Sequence, residues 1–216
     1  MNTQEQSIDD LQHIKKMMER SSRFISLSGL SGISAGLCAL IGAWVAHPYV
    51  FGQKNLFFKD EVDFIRGVNN DYNLILNSPL FYIAAITFMA ALISAFFFTY
   101  LKSKKDGTAL WGNTSKRLMI NVAIPVAVGG LFLFKMLHYG TFGLVAPGCL
   151  IFYGLGLINA SKYTLDEIRY LGYVQLILGI INLWFVGYGL YFWAMGFGVM
   201  HIAYGIYMWQ KYERKG

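Results

Sequence analysis

Long apolar runs separated by short polar connections dominate the chain. Six of them stand out: Phe24–Ala46, Leu80–Leu101, Leu118–Leu137, Phe142–Ala160, Leu171–Leu190 and Tyr191–Trp209. Each is close to the roughly 20 residues that a helix needs to cross about 30 Å of hydrocarbon. The pattern predicts an all-α polytopic membrane protein, a bundle of six transmembrane helices over residues 24–216. The spans use well over half the chain and leave no room for a sizeable soluble domain.

Two weaker amphipathic patterns flank the first run. From Ser7 to Arg20, Ile8, Leu11, Ile14, Met17 and Met18 share one stripe, and Ser7 with Asp10 has capping-box spacing. Residues 1–23 are therefore expected to form a cytoplasmic or interfacial helix, or an extension of the first span. In the outer loop 47–79, Phe58, Val62, Ile65 and Val68 form a second stripe. Its helix reads either as a lid over the bundle or as an interfacial anchor.

Composition agrees with a membrane protein: 56% of residues are hydrophobic and 14% charged, against about a quarter charged in soluble domains. The net charge of +6 changes the picture only through its distribution. With the N-terminus inside, Lys54, Lys59, Arg66 and Lys135 fall outside, and the other fourteen of the 18 Lys and Arg fall inside. This positive-inside bias predicts that both termini are cytoplasmic. The basic loops face anionic lipid rather than nucleic acid.

The first run opens with small residues. A cut after Ala46 would place Trp44 at the −3 position, where signal peptidases want a small side chain, so the segment is expected to be retained. Ser28, Gly32 and Gly36 recur every four residues, as do Ala35, Ala39 and Ala43. Such stripes let helix backbones approach closely in lipid, which predicts a central helix touching two neighbours.

The stretch MMERSSRFISLSGLSGISAG, Met17–Gly36, resembles the opening of a family of uncharacterised six-span bacterial integral membrane proteins. Its R-S-S-R-F-x-S-L-S-G-L-S-G signature covers Arg20–Gly32. The resemblance implies six spans in a bacterial cytoplasmic (inner) membrane. It carries no activity, catalytic residue or cofactor.

The even-numbered spans end alike, in FFFTYLKSKK, LINASKYT and YMWQKYERK, and IFYG at 151–154 echoes IAYG at 202–205. Three tandem hairpins would produce this, and so would aromatic belts beside inner lysines. Tyr188–Leu190 leaves room only for a tight turn between the last two spans.

Polar groups within the membrane mark candidate sites. His201 and Asn182 fall near mid-depth of the last two spans, with Gln175 two turns from Asn182. They form either a polar ligand or proton site, or an interhelical hydrogen bond that only fixes packing. Lys135, His138 and His47 fall at the outer boundary, as an anion entrance or as residues that reach the headgroups. No Asp or Glu lies within a span, and there is no Walker A, GxSxG or CxxC motif. Cys38 and Cys149 read as packed thiols. No metal or cofactor is implied, and an enzyme is the least supported class. Two readings follow. One is a structural or regulatory protein that docks a protein partner, or a second copy, through its N-terminal helix and basic loops. The other is a small carrier or channel for an uncharged or apolar solute.

Overall fold

A computed structural model describes residues 27–52, 76–107 and 111–214, so the expected helices at 7–20 and around 58–68 lie outside the described part. The described residues are all-helical and form six rods. Five are single helices: α1 (Gly29–Phe51), α2 (Pro79–Lys105), α3 (Asn113–His138), α4 (Val145–Ala160) and α5 (Glu167–Trp184). The last rod is composite. It joins α6 (Gly189–Trp193), a π-helical stretch (Ala194–Met200), α7 (His201–Met208) and a second π-helical stretch (Trp209–Glu213).

Five segments are long and apolar enough to cross a bilayer: α1, α2, α3, Phe142–Tyr163 and Val186–Glu213. α5 is not among them. Its 18 residues include Glu167, Arg169, Gln175 and Asn182, which dilute an otherwise apolar helix.

Local sequence sets the helix ends, and several differ from those expected: α2 runs on to Lys105, and α3 already starts at Asn113. Ser28 caps α1 by accepting Leu30 N–H on Oγ at 3.2 Å, so the helix runs Gly29–Phe51 rather than 24–46. Pro79 opens α2, where a missing N–H leaves nothing unpaired, and Gly107 at φ 63° follows its end. The turn between the last two rods also moves. Asn182 Nδ2 donates to the Phe185 carbonyl at 2.9 Å, and Phe185 N–H returns to the Asn182 carbonyl at 3.0 Å. This pair of hydrogen bonds closes α5 at Trp184, and the turn is Val186–Tyr188 instead of Tyr188–Leu190.

Proline inside α3 is balanced by a neighbour. Pro125 has no N–H to give the Asn121 carbonyl four residues back. Asn159 of α4 supplies the donor: its Nδ2 reaches Asn121 O at 3.2 Å and Asn121 Oδ1 at 2.9 Å. In hydrocarbon no water can do this, so a second helix must.

Neighbouring rods run antiparallel. Pairings such as Cys38 with Ser94, Asn121 with Asn159, Gly154 with Gly172 and Gln175 with Gly196 fix their register. The three hairpins do not lie in chain order. α5 with the last rod sits between α1/α2 on one side and α3/α4 on the other.

The closest crossing is between α1 and the last rod. A Cβ on Gly205 would lie 2.6 Å from the Gly29 carbonyl oxygen, and one on Gly36 would lie 2.7 Å from that of Gly198. Gly32 lies in the same seam, against Gly205 and the His201 carbonyl. Ser28, Ala39 and Ala43 are buried and Ala35 is half-buried. Close packing of small residues is what holds helices together where lipid gives no hydrophobic drive. α1 therefore touches two neighbours, α2 and the last rod, but it is not enclosed. Leu37, Ile41 and Trp44 face outward, Trp44 with 78% of its surface exposed. The large and almost fully buried side chains Leu150, Gln175, Asn182 and Met208 belong to α4, α5 and the last rod.

Charge collects at one end of the bundle. Among the described Lys and Arg, only Lys135 lies away from it. Here Glu213 ties three rods together. Its Oε1 accepts Gly29 N–H at 2.6 Å and lies 3.5 Å from Lys102 Nζ, and its Oε2 accepts Ser28 Oγ at 3.3 Å. A carboxylate at a helix N-terminus also meets the positive end of the helix dipole. The outward faces of α2 and α3 are apolar, with Ile86 and Leu131 among their most exposed residues, as contact with a lipid bilayer requires.

Candidate functional site

The buried polar groups gather around a widened turn of the last rod. In the π-helical stretch Ala194–Met200 the regular i→i−4 ladder is interrupted, which leaves carbonyls within reach of side chains. Gly196 O accepts Gln175 Nε2 from α5 at 2.8 Å and His201 Nδ1 at 3.0 Å. A carbonyl can only accept, so Nδ1 carries the proton and Nε2 is the acceptor. The Tyr153 hydroxyl of α4 donates to that Nε2 at 2.9 Å. The 3.5 Å approach of Gln175 Nε2 to a protonated Nδ1 is then a contact and no hydrogen bond.

The knot has no spare room. A Cβ on Gly196 would fall 2.5 Å from Gln175 Oε1. The His201 ring packs on Tyr153, at 5.4 Å, and on Phe197, at 5.9 Å, these two rings touch each other at 5.1 Å, and Phe197 rests in turn on Trp193 at 5.2 Å. Gln175 is fully buried and His201 nearly so. The one polar atom of the knot without a partner is Gln175 Oε1.

On the other side of Trp193 lies the opposite environment. A cavity of about 630 Å³ opens at the end of the bundle away from the charges. Ala43, Ala46 and Val50 of α1, Leu80, Ile83 and Thr87 of α2, Val145 and Cys149 of α4, and Leu190 and Trp193 of α6 line it, and one side is open. Among the described residues its wall has no Asp, Glu, Lys, Arg or His. Among the described residues, the side chains in its wall that carry polar atoms are Asn77, Ser78, Thr87, Cys149 and Trp193. Ser78 Oγ is buried there without a partner, although Ser78 stands at the N-cap position of α2.

No family model, curated protein or solved structure matches the chain. The functional reading therefore rests on geometry.

The expected trio divides. Gln175 and His201 meet at the same depth, but Asn182 does not join them, because α5 ends at Trp184 and leaves Asn182 in its last turn. There Nδ2 closes the helix end, and Asn182 Oδ1 is buried without a partner. The expected outer entrance also divides between helices. Lys135 sits over the Tyr139 ring at 4.8 Å and His138 packs edge-on to the same ring, both at the end of α3. His47 of α1 instead bonds the Tyr191 hydroxyl at 3.3 Å and packs on Phe51.

Sequence reasoning missed Tyr153, the third member of the knot, although its IFYG segment had been singled out as a repeat. It also missed the Asn121–Asn159 pair, which the proline four residues after Asn121 could have signalled. Among the described residues no three His, Cys, Asp or Glu side chains group to hold a metal, and Cys38 and Cys149 are free thiols on different helices. At the charged end, Glu167 accepts from Lys211 Nζ and, at 2.8 Å, from the Tyr212 hydroxyl. Burial alone would push its carboxyl up, but these hydrogen bonds outweigh it and hold Glu167 below the usual glutamate range.

Proposed function

We propose that this is a six-span protein of a bacterial inner membrane, with both termini cytoplasmic, that binds and carries an uncharged apolar solute. The observation that carries this reading is the 630 Å³ apolar cavity. Its volume falls within the roughly 300–1,000 Å³ of small-molecule sites. The Gln175–His201–Tyr153 knot is filled and internally bonded, which assigns it to holding the rods rather than to binding solute. The antiparallel pairing of α5 with α4 and with the last rod supports a sixth crossing, since a helix turning its polar groups inward needs less overall hydropathy. Nine of the ten described Lys and Arg lie at one end of the bundle, and this supports the orientation expected from the sequence. The resemblance of Arg20–Gly32 to six-span bacterial membrane proteins agrees with both.

The test is chemical. Protein purified from membranes in mild detergent is expected to retain a small lipophile at about one per chain, read by native mass spectrometry. Ala46→Phe, which puts a ring into the cavity, should lose it. Equal retention by both proteins would remove the basis of the reading.

A second reading, docking of a soluble partner through residues 1–23 and the basic loops, is favoured by the Glu213 clamp. Bonded to Gly29 and Lys102, it fixes the start of α1 at the basic end of the bundle. Deletion of Met1–Arg20 followed by pull-down is its test, and an unchanged set of partners would sink it.

A further inference from the structure

We propose that a recess at the charged end of the bundle binds the headgroup of an aminophospholipid, a lipid that carries a primary ammonium and a phosphate. This is a second site, at the opposite end from the apolar cavity and independent of what that cavity holds.

The recess follows from how α5 meets the last rod. Among the described residues α5 packs on α6 and on the first π-helical stretch, but makes no comparable seam with α7 or the second one. Where the two rods part, Asp166, Glu167 and Tyr170 on one side face Tyr204, Tyr207 and Lys211 on the other. An occupant can reach these groups. Tyr170 and Tyr207 are among the exposed large side chains, and Lys211 is 44% exposed. Asp166 precedes α5 but makes no capping hydrogen bond with its side chain. Arg169 stands 3.9 Å from it, a loose surface pair that leaves Asp166 57% exposed.

The class of headgroup follows from the charges. This end of the bundle is basic, yet the recess brings together two of the four Asp and Glu among the described residues. Two carboxylates against one ammonium leave it negative. The positive end of the α5 dipole, about half a unit charge, does not reverse this. Tyrosine rings beside carboxylates attract a cation. The chain's own ammonium already shows this chemistry: Lys211 bonds Glu167 and lies 5.6 Å from the centre of the Tyr207 ring. A second ammonium has Asp166 to accept its N–H groups and Tyr170 beside it, and the phosphate of the same headgroup has Lys211.

The source of that headgroup follows from what continues below it. From Tyr170, exposed residues recur along α5 at Tyr173, Ile177, Ile180 and Trp184, steps of three and four that keep to one helix face. This apolar stripe covers 14 residues, about 21 Å at roughly 1.5 Å per residue, against about 15 Å for one leaflet. A free amine has no use for it. An acyl chain attached to the headgroup does.

The test uses full-length protein in mild detergent and dioleoyl lipids that differ only in headgroup, with the first bound lipid read by native mass spectrometry. Phosphatidylethanolamine should bind about 5-fold more tightly than phosphatidylglycerol, the scale of one exposed ion pair with one cation–π contact. Phosphatidylcholine, whose nitrogen has no N–H for a carboxylate, should fall between them. Asp166→Asn should bring the ethanolamine lipid within about 2-fold of the glycerol lipid. Binding of the glycerol lipid should be unchanged or stronger in that variant, which also shows that it is folded. Equal binding of these two lipids by the native protein, or a preference that survives Asp166→Asn, would overturn the site. A choline lipid that binds as tightly as the ethanolamine lipid would overturn the primary ammonium. Ala46→Phe should keep the full preference, and its loss there would place the lipid in the apolar cavity instead. Free O-phosphoethanolamine at the lipid's concentration should not compete, and competition would overturn the lipid as the source.

Discussion

The knot around His201 and the cavity beside Trp193 divide two properties that a ligand site usually combines. In the knot, Gly196 O, His201, Gln175 and Tyr153 provide donors and acceptors of fixed direction, yet a single added methyl would collide with Gln175. In the cavity there is space for a small molecule and almost nothing polar to orient it. The Trp193–Phe197 stack lies between them, with Trp193 in the cavity wall and Phe197 against His201. A buried polar residue in a membrane helix is thus a poor pointer to a site when its partners come from its own bundle. Most of its hydrogen bonds then join helices, although Gln175 Oε1 is left without a partner.

The sharpest way to break this comparison is to add volume on each side. Gly196→Ala adds one carbon to the knot and should destabilise by about 3 kcal/mol, through displacement of Gln175 and Leu150. Ala46→Phe adds a whole ring to the cavity and should leave the thermal midpoint in detergent unchanged or raised. Comparable losses in the two variants would mean that the cavity is as tightly packed as the knot.

A smaller effect tests whether the knot is a coupled unit. His201→Leu leaves the Tyr153 hydroxyl buried without an acceptor and should cost about 2 kcal/mol. Adding Tyr153→Phe removes the stranded hydroxyl, so the double variant should be more stable than His201→Leu alone. Additive losses in a double-mutant cycle would count against the bond.

The smallest effect belongs to the charged end. The folded pKa of Glu167 lies below its unfolded value, so its contribution is present at neutral pH and is lost as pH falls through the folded pKa. Glu167→Gln should therefore flatten the acid limb of the stability profile. An unchanged acid limb would show that Glu167 is not what holds Lys211 and Tyr212 in place.

Much of the architecture was legible along the chain. The apolar runs correspond to the rods, and the glycines after Ser28 do lie at a helix crossing. Boundaries failed where a side chain overruled hydropathy. Ser28 started α1 late, and Asn182 ended α5 early by bonding to Phe185. That second shift removed Asn182 from the depth at which it had been paired with His201.

By itself, the sequence determined that this chain is a bundle of apolar helices with most of its basic residues expected on one side, because crossing hydrocarbon demands length, apolarity and internally bonded backbone, all of which are local properties. Only the tertiary structure decided which polar groups meet and where space remains. His201 found Tyr153 and Gln175 because the last hairpin inserts between the other two, an order that no local pattern encodes. The cavity exists because, among the described residues, α2 leans chiefly on α1, and a gap between helices is a property of their arrangement rather than of any residue in it.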